Sequence, residues 1–319
     1  MKRKVIQIAN STQLISLPRK WAQKFGIKKG DELEIEEDGG RIVISTQAID
    51  KVETIDLNAV GLEHKLIKRL IAALYKGGFD EFRIHYSASE ELQSIQAVAK
   101  DTCLGFEIVE QTKDKVVIRK VTTAIYEGFP PLFRRTFLFV ISMANESLRA
   151  VTEKKVNLLR DVIQMDDNVN KLTDFCRRIL NKEEHSQFKR SAPVYYISEQ
   201  LEKIGDEYRS ICDYLVERKS IKLCKGILNI YNDTNKLLEN FYALFYKFDL
   251  DMVNDFRLKA IRLTNKINEG IYTVPRSELK VLLYLNTLSR IIYATNGAIM
   301  TSHFSNSKLL SPSLEMPIS

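Results

Sequence analysis

Two pairs of oxygen-bearing residues stand at helical spacing. Asp166 and Asn170, in DDNVNKL, are four residues apart, and so are Glu202 and Asp206, in LEKIGDEYRSI. Residues four apart share a face of a helix, so each pair presents its oxygens together. Asp166 falls on a stripe otherwise made of Leu159, Val162, Val169, Thr173, Cys176 and Leu180. A buried carboxylate is costly unless it is paired, hydrogen-bonded or metal-bound. With the two helices side by side, Asp166, Asn170, Glu202 and Asp206 converge into an oxygen set that can hold a divalent or ferric metal. The same carboxylates can instead form interhelical salt bridges with nearby Lys or Arg, a common structural role.

A second chemistry sits at the head of the chain. Lys or Arg occupies positions 2, 3, 4, 19, 20, 24, 28 and 29, no acid precedes Asp31, and six acids follow between Asp31 and Asp38. Lys2, Arg3, Lys4, Arg19 and Lys20 are the candidate contacts to the phosphates of DNA, where each neutralised phosphate releases counterions. A solvated basic face is the other reading of the same residues. The formal charge of +7 permits an anionic partner without selecting one.

Other catalytic chemistries lack their parts. No glycine-rich phosphate loop or nucleophile elbow is present. His64 and His85 stand alone, and Cys103, Cys176, Cys212 and Cys224 form no CxxC pair and have no nearby His at zinc-ligand spacing. The chain is expected to be no enzyme, cytoplasmic, with reduced thiols, no signal peptide and no membrane span.

The elements that position these residues fall into three parts. KVIQIAN and QLISL read as short strands, PRKWAQKFGI as a helix with Pro18 at its first position, and KKGDELEIE and EDGGRIVI as a hairpin. A unit of roughly 45 residues buries little core alone, so it is expected to dimerise. A small α+β unit follows. Its first helix carries Leu62, Leu66, Leu70 and Leu74, then come the strand EFRIHY, a helix begun by a capping box in SASEELQ, and a hairpin of FEIVEQ and KVVIRKV. From about Phe129 the pattern is helical. Six helices are expected, the third with a bundle seam of Ile197, Leu201, Ile204, Tyr208, Ile211 and Leu215. VIQMDDNVN can be laid over AIRLTNKIN, and LEKIGDEY over LSRIIYAT, as an internal repeat. SNSKLLSPSLEMPIS reads as a loose tail.

Two resemblances follow. Ile15, Pro18, Trp21, Phe25, Gly26, Ile27, Gly30, Asp31, Leu33 and Ile35 resemble the SpoVT/AbrB-type swapped-hairpin domain. That family intertwines two copies into a small barrel and commonly binds DNA; some members serve as dimerisation or antitoxin modules. DDNVNKL and LEKIGDEYRSI resemble the paired E/DxxxD helices of PhoU-type phosphate-signalling regulators, built as two three-helix bundles, whose motifs can hold metal. Asn170 stands where that pattern has an acid, and Thr264, Asn268, Ser289 and Tyr293 replace all four in the second half.

The fold expected is multidomain. A swapped-hairpin barrel (1–48) is followed by an α+β relay (49–126), a PhoU-like six-helix domain (127–303) and a tail (304–319). The resemblances together imply a DNA-binding transcriptional regulator linked to phosphate uptake or sensing, a homodimer through its barrel. A non-DNA-binding adaptor acting on a phosphate transporter component or a kinase is the alternative.

Overall fold

The computed structural model describes residues 3–8, 12–38, 41–45, 52–121, 129–182, 191–218 and 222–303. The chain divides into two compact units, Met1–Val52 and Glu53–Ser319. The structure has a small strand-rich head, an α+β module and a long helical region. Lys2, the turn glycines Gly39 and Gly40, and the tail 304–319 lie outside the described residues.

In the head, β1 (Val5–Ile8) pairs antiparallel with β2 (Thr12–Ile15), α1 spans Arg19–Lys24, and β3 (Glu34–Asp38) pairs with β4 (Arg41–Ser45). The two hairpins form separate two-stranded sheets. Pro18 caps α1 rather than opening it, and Gly26 takes the left-handed φ of 67° that lets the chain leave the helix. No described residue of the head is buried. Val5 and Ile6, neighbours on opposite faces of β1, are 61% and 56% exposed, and Ile35 and Ile42 are 64% and 67% exposed.

The second unit opens with β5 (Thr54–Asn58), a strand the sequence reading missed, parallel to β6 (Glu81–His85). β7 (Phe106–Gln111) and β8 (Lys115–Lys120) complete a sheet of order β5-β6-β8-β7. α2 (His64–Lys76) and α3 (Ser89–Thr102) pack on it. The buried stripe of α2 is Ile67, Ile71 and Tyr75, not the leucine row: Leu66 stays 44% exposed. Both stripes step by four, but the β-branched and aromatic row faces the sheet. At the start of α3 only the Glu half of the expected capping box forms, with Glu91 accepting from the backbone N–H of Ser87 and Ala88.

The helical region comprises α4 (Phe129–Glu153), α5 (Val156–Lys182), α6 (Ser191–Glu217), α7 (Lys225–Tyr246), α8 (Leu250–Thr273), α9 (Leu279–Ala294) and α10 (Asn296–His303). α4–α5–α6 and α7–α8–α9 are two three-helix groups around one continuous apolar core. The expected last helix breaks at Thr295, just before Asn296 and Gly297, two poor helix formers. Every residue of the expected α5 and α6 seams is buried, Asp166 included. Tyr208 donates to Asn235 Oδ1 at 2.8 Å, and Asn235 Nδ2 donates to the Ala144 carbonyl at 2.7 Å, tying α6, α7 and α4 through a satisfied polar link.

The α+β module is fastened to α5. Arg178 is 4% exposed and donates to the carbonyls of Tyr75 (2.8 Å) and Phe79 (2.7 Å) at the end of α2, and to Asp80 Oδ1 (2.9 Å). Its guanidinium also lies over the rings of Tyr75 and Phe106. Lys182 pairs with the other oxygen of Asp80, Asn181 donates to the Lys76 carbonyl, and Phe175 packs against both cores. Burial would raise the Asp80 carboxyl, but hydrogen bonds from Lys182 and the Glu53 N–H and the charges of Lys182 and Arg178 outweigh it and hold it low. Arg178→Met should therefore lower stability by about 3–5 kcal/mol, the usual cost of breaking a buried charge pair. Urea unfolding measures it. Arg178→Lys should recover little, because a single ammonium nitrogen cannot stand in for the two guanidinium nitrogens that separately reach the carbonyls and Asp80.

Candidate functional site

α5 and α6 pack closely because Gly205 has no side chain. A Cβ there would lie 3.0 Å from Val169 Cγ1 and 3.4 Å from Asp166 Oδ1. That proximity places Asp166, fully buried, against the α6 face that carries Glu202, Asp206 and Arg209. Asp166 Oδ2 accepts from Arg209 Nη1 at 3.0 Å and from Asn170 Nδ2 at 3.1 Å. Asp166 Oδ1 and Asn170 Oδ1 are buried and have no hydrogen-bond partner. Further along α5, Arg177 is 1% exposed and pairs with Asp174 on its own helix and with Glu199 and Glu202 on α6. Lys76 of α2 reaches Asp174 at 3.5 Å.

The structure thus brings the four candidate metal residues to one helix pair, but with two guanidinium groups among them. Glu202 is committed to Arg177 and one oxygen of Asp166 to Arg209. Among the described residues no three His, Cys, Asp or Glu side chains are placed to share a metal ion. As placed, the residues do not fit a metal held by all four. Positive charge comes instead from Arg177 and Arg209, the interhelical salt-bridge alternative. The sequence reading missed both arginines. Asp174 and Arg177 continue the Asp166–Asn170 face at steps of four and three, and Arg209 follows Asp206 by three, so the signal was present in the same periodicity.

Negative charge still exceeds positive in this set. Burial raises the Asp166 carboxyl against the pull of Arg209, and burial likewise raises Asp174. Desolvation, then the charges of Asp166 and Glu202, push Asp206 up to about 6. A carboxyl raised in the folded state binds its proton there while the unfolded chain has already lost it. Stability therefore falls as pH rises between the unfolded value near 3.8 and about 6, and the penalty persists above that window. Asp206→Asn should raise Tm by a few degrees at pH 7.5, with a smaller gain at pH 4.5. Scanning calorimetry at both values checks it. Solvent screening at this half-open position keeps the effect small.

The buried thiols Cys103 and Cys176 are poorly suited to act as nucleophiles. Burial pushes Cys103 and Cys176 up to about 12, leaving negligible thiolate at neutral pH, and the cysteines are free. His64 Nδ1 is 2.8 Å from Ser94 Oγ, a bond between α2 and α3.

On the head, Arg3, Lys4, Arg19 and Lys20 are exposed, and no acid pairs with them among the described residues. The register Val5↔Ile15 runs Arg3 and Lys4 alongside the exit of β2, which leads through Pro18 into Arg19 and Lys20. These four cations therefore gather at one end of the first hairpin.

The helical site agrees with the comparison that decides its kind. Residues 133–215, spanning α4, α5 and nearly all of α6, match the PhoU domain model. This stretch is similar to a PhoU domain. Residues 6–51 match the model of antidote-toxin recognition MazE, bacterial antitoxin, so the MazE-like head and the PhoU domain form the fusion that the motifs indicated. Among solved structures, the phosphate transport system regulatory protein PhoU from Streptococcus pneumoniae is similar at 13% identity and a TM-score of 0.45, covering 58% of this chain and 96% of that one. A PhoU-like phosphate regulatory protein from Shewanella oneidensis MR-1 is similar at 9% identity and a TM-score of 0.40, covering 56% of this chain and 100% of that one. Comparison with curated proteins returns no match. Among the described residues no helix is long and apolar enough to cross a membrane.

Proposed function

We propose that this protein is a cytoplasmic, non-catalytic DNA-binding regulator of phosphate uptake. Its MazE-like head contacts DNA as a homodimer, and its PhoU domain receives the signal. The observation that carries this reading is the head itself. Its apolar side chains are exposed on both faces of β1, while four unpaired cations gather at the end of the same hairpin. Water-exposed Val5, Ile6, Ile8, Leu14 and Ile15 stabilise nothing in a single copy, and a second copy is the partner that would bury them. Dimerisation would double the basic end and offer it to two phosphate tracks. The PhoU domain match supports the link to phosphate uptake.

Fluorescence anisotropy with a labelled mixed-sequence duplex across a salt series tests it. The expected result is binding with a steep salt slope. In a variant with Lys2, Arg3, Lys4, Arg19 and Lys20 changed to Ala, affinity should fall. The slope should flatten by about 0.9 for each phosphate that the variant no longer neutralises. Absence of binding at low salt would leave the head as a dimerisation or antitoxin-type module.

A second reading, an adaptor that regulates a phosphate transporter component through protein contacts, has its own support. Ile271, Tyr272 and Leu283 are 50%, 89% and 62% exposed beside an apolar groove between α8 and α9.

A further inference from the structure

A cleft lies between α2 of the α+β module and α5 of the PhoU domain. Along α2, Lys65, Lys68, Arg69 and Lys76 lie on one stripe. They face a stripe of α5 that carries Asp167, Asn170, Lys171 and Asp174. Asp101 and Thr102 of α3 and Glu202 of α6 complete the walls, and the space is about 780 Å³. That is the size of a site for a ligand as large as a nucleotide.

Lys76 and Asp174 pair, and Glu202 pairs with Arg177. Lys65, Lys68, Arg69 and Lys171 have no acidic partner among the described residues, although Asp101 and Asp167 line the same cleft and are themselves unpaired. Like charges three and four apart oppose helix formation, and Lys65 has two such neighbours in Lys68 and Arg69. An anion bound across that turn removes the repulsion. Three cations within one turn call for several negative charges, and Arg69 supplies a planar fork for paired phosphate oxygens. Across the cleft α5 supplies the acceptors Asp167 and Asn170, whose Oδ1 is buried without a partner, beside the cation Lys171, and α3 adds the acceptor Asp101. Such acceptors call for hydroxyl or amino donors.

We propose that this cleft binds a phosphorylated small molecule of nucleotide size. Its phosphates lie on Lys65, Lys68 and Arg69, and its hydroxyl or amino groups lie on Asn170, Asp167 and Asp101. The ligand bridges the α+β module and the PhoU domain. It is the signal that the proposed function leaves unnamed, but its binding requires neither DNA nor a transporter.

Isothermal titration of the full-length protein at fixed ionic strength tests this with ATP, AMP, inorganic phosphate and citrate. ATP and AMP should bind saturably at one per chain, more tightly than inorganic phosphate or citrate. A Lys65→Ala, Lys68→Ala, Arg69→Ala variant should bind at least about tenfold more weakly, the loss of one charge-assisted hydrogen bond. Asn170→Ala should weaken AMP but not inorganic phosphate. The three cations are exposed, so the variant is expected to keep the wild-type melting temperature, and Lys68→Glu alone provides a second test. Three results would overturn the proposal: no saturable nucleotide binding, undiminished binding by both cation variants, or citrate binding as tightly as AMP. Inorganic phosphate matching AMP would overturn the assignment of the acceptor wall. Because no DNA is present, failure here leaves the DNA-binding reading standing, and failure to bind DNA leaves the cleft standing.

Discussion

One guanidinium organises the larger unit of this protein. Arg178 leaves the α5 surface, crosses into the α+β module and satisfies the carbonyls of Tyr75 and Phe79 at the end of α2 while neutralising Asp80. The carbonyl of Tyr75 lies in the last turn of α2, where the helix end carries partial negative charge, and that of Phe79 follows just beyond it, so a buried cation is favoured there. The desolvation of Arg178 is offset only because each of these acceptors is fixed. The consequence is mechanical. The α+β module is anchored to the helix that also carries Asp166, Asn170, Asp174 and Arg177.

The same helix faces α6 through a second constraint, close approach without free charge. Gly205 permits the approach, and Arg177 and Arg209 neutralise much of the acid that it buries. Desolvation first, and then the acid that remains around it, push the Asp206 carboxyl up to about 6. The charged residues left over, Lys65, Lys68, Arg69 and Lys171, line the neighbouring cleft.

The head obeys a different rule. A unit this small cannot bury enough apolar surface to offset its own chain entropy. Among the described residues its strands pair only within hairpins, and Val5, Ile6, Ile8, Ile15, Ile35 and Ile42 face water. The larger unit has two cores of its own, built from residues 59–118 and 129–299. The larger unit thus buries its apolar surface within itself, whereas the described apolar residues of the head lie at its surface.

Local periodicity by itself determined the helices of the PhoU domain, their buried seams, the hairpins, and the placement of Asp166 on a buried stripe. All of these depend on residues within a few positions of one another. Sequence also held the MazE-like and PhoU motifs, which are local patterns of the same kind. Periodicity could not choose between two equally spaced stripes on α2, nor find β5, whose TIDLN is fixed by pairing with β6. It could not tell whether Asp166 and Glu202 would meet a metal or an arginine, because Arg209 lies 43 residues from Asp166 along the chain. Arg178 reaches Asp80 across 98 residues and Lys76 reaches Asp174 from another module. Those meetings are set by how α2, α5 and α6 pack, and only the tertiary structure decides them.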